Sequence, residues 1–422
     1  MSSTKKSRII ELSNTINAHT IAIDKYYAAN GIPPPSFDID YPADLPEEIH
    51  QSRNSVLEAT DELTDLMLGA RALAECSPPQ HTSLIGVQAI CRYDIASKVP
   101  ANEEVSYATL SQRCGLPVDD LMRIMRLAIS QHIFKEPRKG FVAHNAASKM
   151  FVGSQDLQNW IYIALDEMWP SAAHMLDAMD RWKGSGEPYE AGFNIAKDTD
   201  QSFFQSMKHN QRRKEAFSNV MTYMQGRQGF GNSSAQLLSS YDWNSVGTIV
   251  DIGGGQGSTC VDILEKYPEI KCTVQDTPEV IAESQGKITA KISENLVFME
   301  HDFFTEQPVK NSDVYLLRWV LHDWSDQRAL MILRQLVPAL KYGANVVIQE
   351  FIVPEPGIMS SYHEKTIRCM DLAMKAAFNS KEREIGDWIG LFAQADDNFA
   401  FVDAKVPPGS NLAVLHFCWK GK

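Results

Sequence analysis

The chain has no C-x-x-C pair among its seven cysteines (Cys76, Cys91, Cys114, Cys260, Cys272, Cys369 and Cys418). Their scatter excludes a disulfide scaffold or a cysteine zinc site and points to a reduced, cytoplasmic protein. No apolar run is long enough to span a bilayer, and the opening MSSTKKSRII lacks the apolar core of a secretory signal. Positive charge is scarce: 40 Lys and Arg against 53 Asp and Glu leave a net charge of −13. Nucleic acid and anionic membranes are therefore disfavoured as general partners. No internal repeat is visible. What is present is a globular composition, 44% hydrophobic and 22% charged, over 422 residues. That length exceeds one ordinary core, so two or three units are expected.

Residues 1 to about 30 carry a helical apolar pattern (Ile9, Ile10, Leu12, Ile16, Ile21, Ile23) that breaks at Gly31-Ile-Pro-Pro-Pro. A Pro- and Asp-rich stretch to Glu48 reads as an arm or linker. From Ser55 to Ala74 apolar residues recur at helical spacing. Residues 104–126 then spell a helix, a Cys-Gly turn and a second helix, with two short strands expected from Phe134 to His144 as a wing. The second helix, Val118–Ser130, is formally neutral and apolar around much of its circumference, which suits a core or a subunit interface rather than a DNA groove. Residues 156–240 read as mainly helical. They include a basic run, Lys208 to Lys214, expected as a solvated helix face. Beyond 245 strands and helices alternate. Strands are expected at 248–252, 271–275, 296–300, 313–318, 345–350, 399–405 and 411–419, and helices near 258–267, 326–341, 363–377 and 384–395. This alternation predicts a doubly wound α/β sheet.

The stretch Thr248-Ile-Val-Asp-Ile-Gly-Gly-Gly-Gln-Gly257 runs from an apolar strand through Asp251 into Gly253-x-Gly255-x-Gly257 and then a helix. Glycine allows the sharp turn and lets a ligand lie against backbone, while the helix start offers unpaired N–H groups. A second strand ends in Asp276, about 20 residues beyond the last glycine, where an acid can hold ribose hydroxyls. The spacing is not G-x-G-x-x-G, so nothing calls for a pyrophosphate cradle, and Asp251 suits a cationic or amine-bearing ligand. S-adenosylmethionine has a sulfonium, an ammonium, a ribose and no phosphate.

A second constellation follows. Leu316-Leu-Arg-Trp-Val-Leu-His-Asp-Trp-Ser-Asp326 ends the fourth strand, and ligands of open α/β sheets sit beyond the carboxyl ends of strands. His322 there is either a base for a substrate hydroxyl or a cap on the next helix. Glu350 ends the neighbouring strand and Glu382 lies in Asn379-Ser-Lys-Glu-Arg-Glu384. Each glutamate is either a carboxylate that orients the imidazole or a surface charge. His322, Asp323 and Asp326 have no further ligands to make a metal set.

VDIGGGQG, the Asp276 strand end, LRWVLHDWSD, the strand ending in Glu350 and the SKERE loop together resemble plant and fungal O-methyltransferases of the caffeic-acid/aflatoxin type. The resemblance covers most of the chain and is tightest over residues 248–384. It implies a Rossmann-like methyltransferase sheet behind an N-terminal winged-helix dimerisation domain, a homodimer, and S-adenosylmethionine converted to S-adenosylhomocysteine. The implied layout is an arm and linker over 1–50, the winged-helix-like domain over 51–155 and the methyltransferase domain over 156–422. It implies His322 as base with Glu350 and Glu382 orienting it. It implies a cofactor site of Asp251, Gly253, Gly255, Gly257, Asp276, Asp302 and Phe303, with Arg318 where the family has a lysine. It implies an acceptor site lined by Phe203, Met207, Trp319, Asp323, Met370, Met374 and Phe378, although a Met and aromatic stripe serves equally as core.

The expected activity is methyl transfer to a hydroxyl of a small aromatic or polyketide-like secondary metabolite. The alternative is a methyltransferase-fold pericyclase or decarboxylase that binds the cofactor without spending it, with His174 and Arg318 as polarising groups. A winged-helix transcription regulator is opposed by the net charge and by the apolar helix 118–130.

Overall fold

The computed structural model describes residues 7–76, 78–225, 234–284, 294–407 and 412–422. Residues 1–6 of the expected first helix, 226–233 of the expected helical stretch and 411 of the expected last strand lie outside these. The chain divides into two compact units, residues 1–166 with 357–366, and residues 167–356 with 367–422. This division differs from the expected boundary near 155 because the helix Gln155–Tyr162 sends Leu157, and Ile161 beside it, into the core of the first unit. Residues 1–50 are not set apart either, since their long helix pairs lengthwise with the next one.

In the first unit, α1 (Arg8–Asn30) ends at Gly31, whose left-handed conformation (φ 62°) caps it. It packs along α2 (His50–Cys76), which is interrupted at Gly69 (φ 70°, ψ 167°). Helices α3 (Tyr107–Cys114) and α4 (Val118–Ser130) are joined across Gly115 (φ 69°). α4 buries Leu121, Met125 and Ala128 against Ile90, Val105, Leu110 and Val142, so its apolar face is core. The two strands expected between Phe134 and His144 do not form a hairpin of their own. Phe141–Val142 pairs instead with Val105–Ser106, and only a Lys135–Ala143 bridge joins the two arms.

The second unit leads with helices, among them α5 (Phe203–Met207) and α6 (Gln211–Gln225). Its sheet has strands β1 (Thr248–Ile252), β2 (Lys271–Asp276), β3 (Leu296–Glu300), β4 (Val314–Arg318), β5 (Asn345–Phe351), β6 (Phe399–Lys405) and β7 (Leu412–Trp419). Their order is β3-β2-β1-β4-β5-β7-β6, parallel except for β7, which runs antiparallel to both its neighbours. The helices α7 (Ser258–Lys266), α8 (Asp326–Leu336), α9 (Ser361–Phe378) and α10 (Ile385–Ala395) connect them.

Period-two alternation sorts the strand side chains into two cores. Val250, Ile252, Tyr315, Leu317, Val346 and Ile348 join α8 and α10 on one face. Ile249, Val314, Leu316 and Val347 join Cys260, Ile263 and Leu264 of α7 on the other. The same alternation sends Asp251 toward α7, and sends Glu350 to the face of Val320 and Leu321. Strand order reverses between β1 and β4, and the crevice beyond their carboxyl ends is where such sheets hold ligands.

Candidate active site

Gly253, Gly255 and Gly257 have φ of 69°, 59° and 77°, conformations that favour glycine. The amides of Gly253 and Gly254 donate to the Gln275 carbonyl (2.8 and 3.1 Å), which ties the loop to β2. A Cβ on Gly253 would stand 2.9 Å from Val320 Cγ2, and one on Gly257 3.0 Å from Phe298 Cζ. At Gly255 nothing lies within 4 Å. The loop is thus walled at both ends and open in the middle, directly before α7.

Two acids edge this opening. Asp276 accepts from Gly255 N through Oδ2 (2.9 Å) and from Thr277 N through Oδ1 (2.7 Å). Burial pushes its pKa up while those two amides pull against it. Asp276 pairs with Glu300 across β2 and β3, and His301 N donates to its carbonyl (3.0 Å). Asp302 therefore follows at the neighbouring strand end, exposed, with Oδ1 accepting from Phe304 N (3.0 Å). The Phe303 ring reaches within 3.9 Å of the Gly253 Cβ position.

Asp251 is fully buried behind the loop and pushed up to about 6 by that burial, opposed by the Cys260 thiol, which donates to Oδ2 (3.5 Å). Its Oδ1 has no hydrogen-bond partner among the described residues. Arg318 Nη1 donates to Thr259 Oγ1 (3.1 Å). Burial lowers its pKa, and Asp251, Asp262 and Glu350 oppose the shift. A glycine opening edged by acids, with a further carboxylate below it, fits the ribose and cationic groups of S-adenosylmethionine.

The second cluster is built from side chains. Trp319 has φ 54°, a conformation a bulky residue adopts only under constraint, and its N–H donates to Gln349 O (3.2 Å). It turns β4 into a short 3₁₀ turn, Leu321–Asp323. Glu350 Oε1 accepts from both Val320 N (3.1 Å) and Leu321 N (2.9 Å). His322 Nδ1 lies 2.9 Å from Glu382 Oε1 and 4.0 Å from Glu350 Oε2, and its Nε2 lies 3.6 Å from Asp323 Oδ1. A carboxylate only accepts, so in the neutral imidazole Nδ1 carries the hydrogen and Nε2 is the basic nitrogen.

Burial opposes charge on His322, but three carboxylates within 4.0 Å oppose burial. Each attraction is on the order of 4 kcal/mol at an effective dielectric of 20. Together they exceed the several-kcal/mol desolvation penalty of one ion. The carboxylates win, and His322 is raised to about 10. Burial raises Glu350 to about 7 and Asp323 to about 6, with His322 pulling each down.

Sequence reasoning missed Arg383. It is fully buried and donates to Leu321 O (2.9 Å), Trp324 O (2.8 Å) and Asp326 Oδ1 (2.8 Å). A lone arginine in a charged loop gives no sign of this in the sequence.

The expected acceptor residues divide. Phe203 is wholly buried among Phe193, Phe217 and Phe378, so it is aromatic core rather than wall. Met374 and Phe378 are buried, whereas Met207, Met370, Trp319 and Asp323 are half-buried. Phe204 was not singled out in the sequence. It is half-buried and stacks on Phe378 (5.2 Å, 15°) and Trp324 (6.1 Å, 27°), so the aromatic surface near His322 runs through it.

The basic run is not simply a solvated face. Arg213 is buried and pairs with Glu167 (3.0 Å) over Phe193, while Lys208 and Lys214 pair with Glu279 (3.1 Å) and Glu283 (2.6 Å). His174 is half-buried and pairs with Asp177 (3.0 Å).

Known proteins share this architecture. Residues 174–396 match the family model described as an O-methyltransferase domain. The chain is 38% identical over 422 residues to the O-methyltransferase kk1A of Curvularia clavata, covering 99% of this chain and 98% of that one. It is 35% identical over 421 residues to the grayanic acid biosynthesis cluster O-methyltransferase of Cladonia grayi, covering 98% and 88%. The fold resembles OxaC solved in complex with SAH and oxaline (TM-score 0.74, 19% identity, 98% of this chain and 100% of that one). On the family model and these full-length relatives, the chain belongs to the O-methyltransferase family.

Proposed function

We propose that the protein transfers the methyl group of S-adenosylmethionine to a hydroxyl oxygen of a small aromatic or polyketide-like secondary metabolite, with His322 as the base. The observation that carries this is the buried Glu382–His322 contact of 2.9 Å, which leaves Nε2 as the basic nitrogen at the carboxyl end of β4. Gly253, Gly255, Gly257, Asp276, Asp302 and Phe303 hold the donor, with Asp251 behind them. Bound there, the donor supplies an electrophilic methyl group on a sulfonium.

The chain's own residues do the rest. The acceptor stacks against the surface of Phe204 and Trp324, with its hydroxyl toward Nε2. His322 takes the hydroxyl proton on Nε2, leaving the acceptor oxygen as the nucleophile for the methyl group that a bound donor would supply. Glu382 and Glu350 stabilise the imidazolium so formed. The same carboxylates hold a proton on His322 above neutrality, and the cationic donor counters them. Rate therefore climbs with pH along a limb set by His322. Little covalent help is needed, because positioning and one base supply most of the acceleration.

Mass spectrometry with methyl-labelled donor across candidate phenols tests this reading. Label in the product is expected. Turnover of an acceptor without label would favour a non-methylating rearrangement instead.

We further propose a homodimer joined through the first unit. Its α1 exposes Ile9, Ile10 and Ile21 and its α2 exposes Leu66, Met67 and Leu73, more apolar surface than a lone helix pair needs. Light scattering is expected to give twice the chain mass, and a monomer would refute the pairing. No helix among the described residues is long and apolar enough to cross a membrane.

A further inference from the structure

We propose that Arg383 is a positioning residue for the methyl-transfer step: it aims His322 by gripping the backbone on both sides of it, without touching either reactant. The proposal rests on His322 being the base.

The turn that carries His322 has little holding power of its own. It is a three-residue 3₁₀ segment entered through a left-handed tryptophan. Two groups grip it from outside. Glu350 accepts from the N–H groups of Val320 and Leu321, and Arg383 donates to the carbonyls of Leu321 and Trp324. The residue before His322 is thus held through both its amide and its carbonyl. The residue two beyond it is held through its carbonyl.

Arg383 is itself well anchored. Its Nε donates to Asp326 Oδ1 (2.8 Å), and its guanidinium lies 4.8 Å from the centre of the buried Trp388 ring. Its carbonyl accepts from Val353 N (3.0 Å), and Arg383 forms a parallel bridge with Ile352 just beyond β5. The adjacent Glu382 holds the imidazole at Nδ1. One dipeptide therefore fixes both the ring and the backbone of the base to the end of the same strand.

Only arginine suits this post. Its planar fork presents several N–H groups in fixed directions, so one cation spans two carbonyls and a carboxylate. A lysine ammonium in the same space is a single point donor. A purely structural buried cation would also be lost on substitution, so the test must read the base and not only the fold.

The experiment uses the full chain as R383A and R383K, with H322A as reference. It measures S-adenosylhomocysteine affinity, kcat, the pH dependence of kcat, and rescue by added guanidinium. In both Arg383 variants affinity is expected to hold while kcat falls about 10- to 100-fold, the loss usual when a group that orients a functional ligand is removed. The pH limb set by His322 is expected to move lower as the imidazole slips from Glu382. Guanidinium is expected to restore part of kcat in R383A and none in H322A. Should R383A fail to fold, R383K carries the test through its pH limb. A lowered Tm with kcat and the pH limb unmoved would overturn the proposal, as would a kcat loss that guanidinium does not touch and that leaves the limb in place. Full activity in H322A would instead remove the base itself, whatever Arg383 does.

Discussion

The glycine cradle and the turn that carries His322 adjoin at Gly253 and Val320 but are made in opposite ways. The cradle is backbone, set in one unbroken run from Thr248 to Ser258 and fixed by positive φ at three glycines. The turn is fixed by side chains from two separate segments, Glu350 and the Glu382–Arg383 pair gripping residues 320–324. In the backbone site a Cβ meets a wall at Gly253 and Gly257, and at Gly255 the positive φ alone disfavours it. In the side-chain site the groups share one network, so their losses are expected to couple rather than add.

Substitutions can break or sharpen this contrast. The largest effect is expected for Gly253→Val, which places a branched side chain at φ 69° against Val320. Left-handed strain together with overpacking should weaken donor binding on the order of 100-fold or more, read by calorimetry with S-adenosylhomocysteine. Next comes Glu382→Gln. It should lower kcat about 10- to 100-fold with donor affinity intact, as loss of an orienting carboxylate does. Near-normal turnover in that variant would move the orienting role to Glu350.

Asp276→Asn is smaller still. Its donor dissociation constant should rise about tenfold, the value of one hydrogen bond to a charged group, with kcat unchanged at saturation. A separate effect is on stability against pH. His322 and Glu350 are both raised in the folded protein, to about 10 and about 7. Each therefore binds its proton more tightly when folded, stabilises fully below its unfolded pKa, and loses that contribution as pH rises through the folded value. Tm should decline more steeply from pH 7 to 10 in the native chain than in H322A, where this His322 contribution is gone. Parallel curves would contradict the raised histidine.

The contrast also explains what was legible in the sequence. The sheet was readable because its apolar strands and α7 lie close in the chain, and the cradle because its glycines have no substitute. His322, Glu350 and Glu382 were reachable through strand ends and resemblance, since a carboxylate at the end of β5 must neighbour the end of β4. Arg383 was not, because its partners are carbonyls, which leave no mark in a sequence. Phe203 and Phe204 are neighbours of one type, and only packing shows that the first fills the core and the second faces outward. The basic run hid Arg213 for the same reason: its partner Glu167 lies in another segment. The layout implied by the resemblance divides the chain at 155, and only packing shows that Leu157 and Ile161 of helix 155–162 join the first unit's core.

The central claim is that the carboxyl end of β4 carries the base. Single-turnover methyl transfer by H322A, at saturating donor and with donor binding measured in parallel, tests it most directly. The expected result is unchanged donor affinity with methyl transfer slowed by roughly 10²- to 10⁴-fold, the usual cost of a lost general base. Methyl transfer at the native rate in H322A would contradict it.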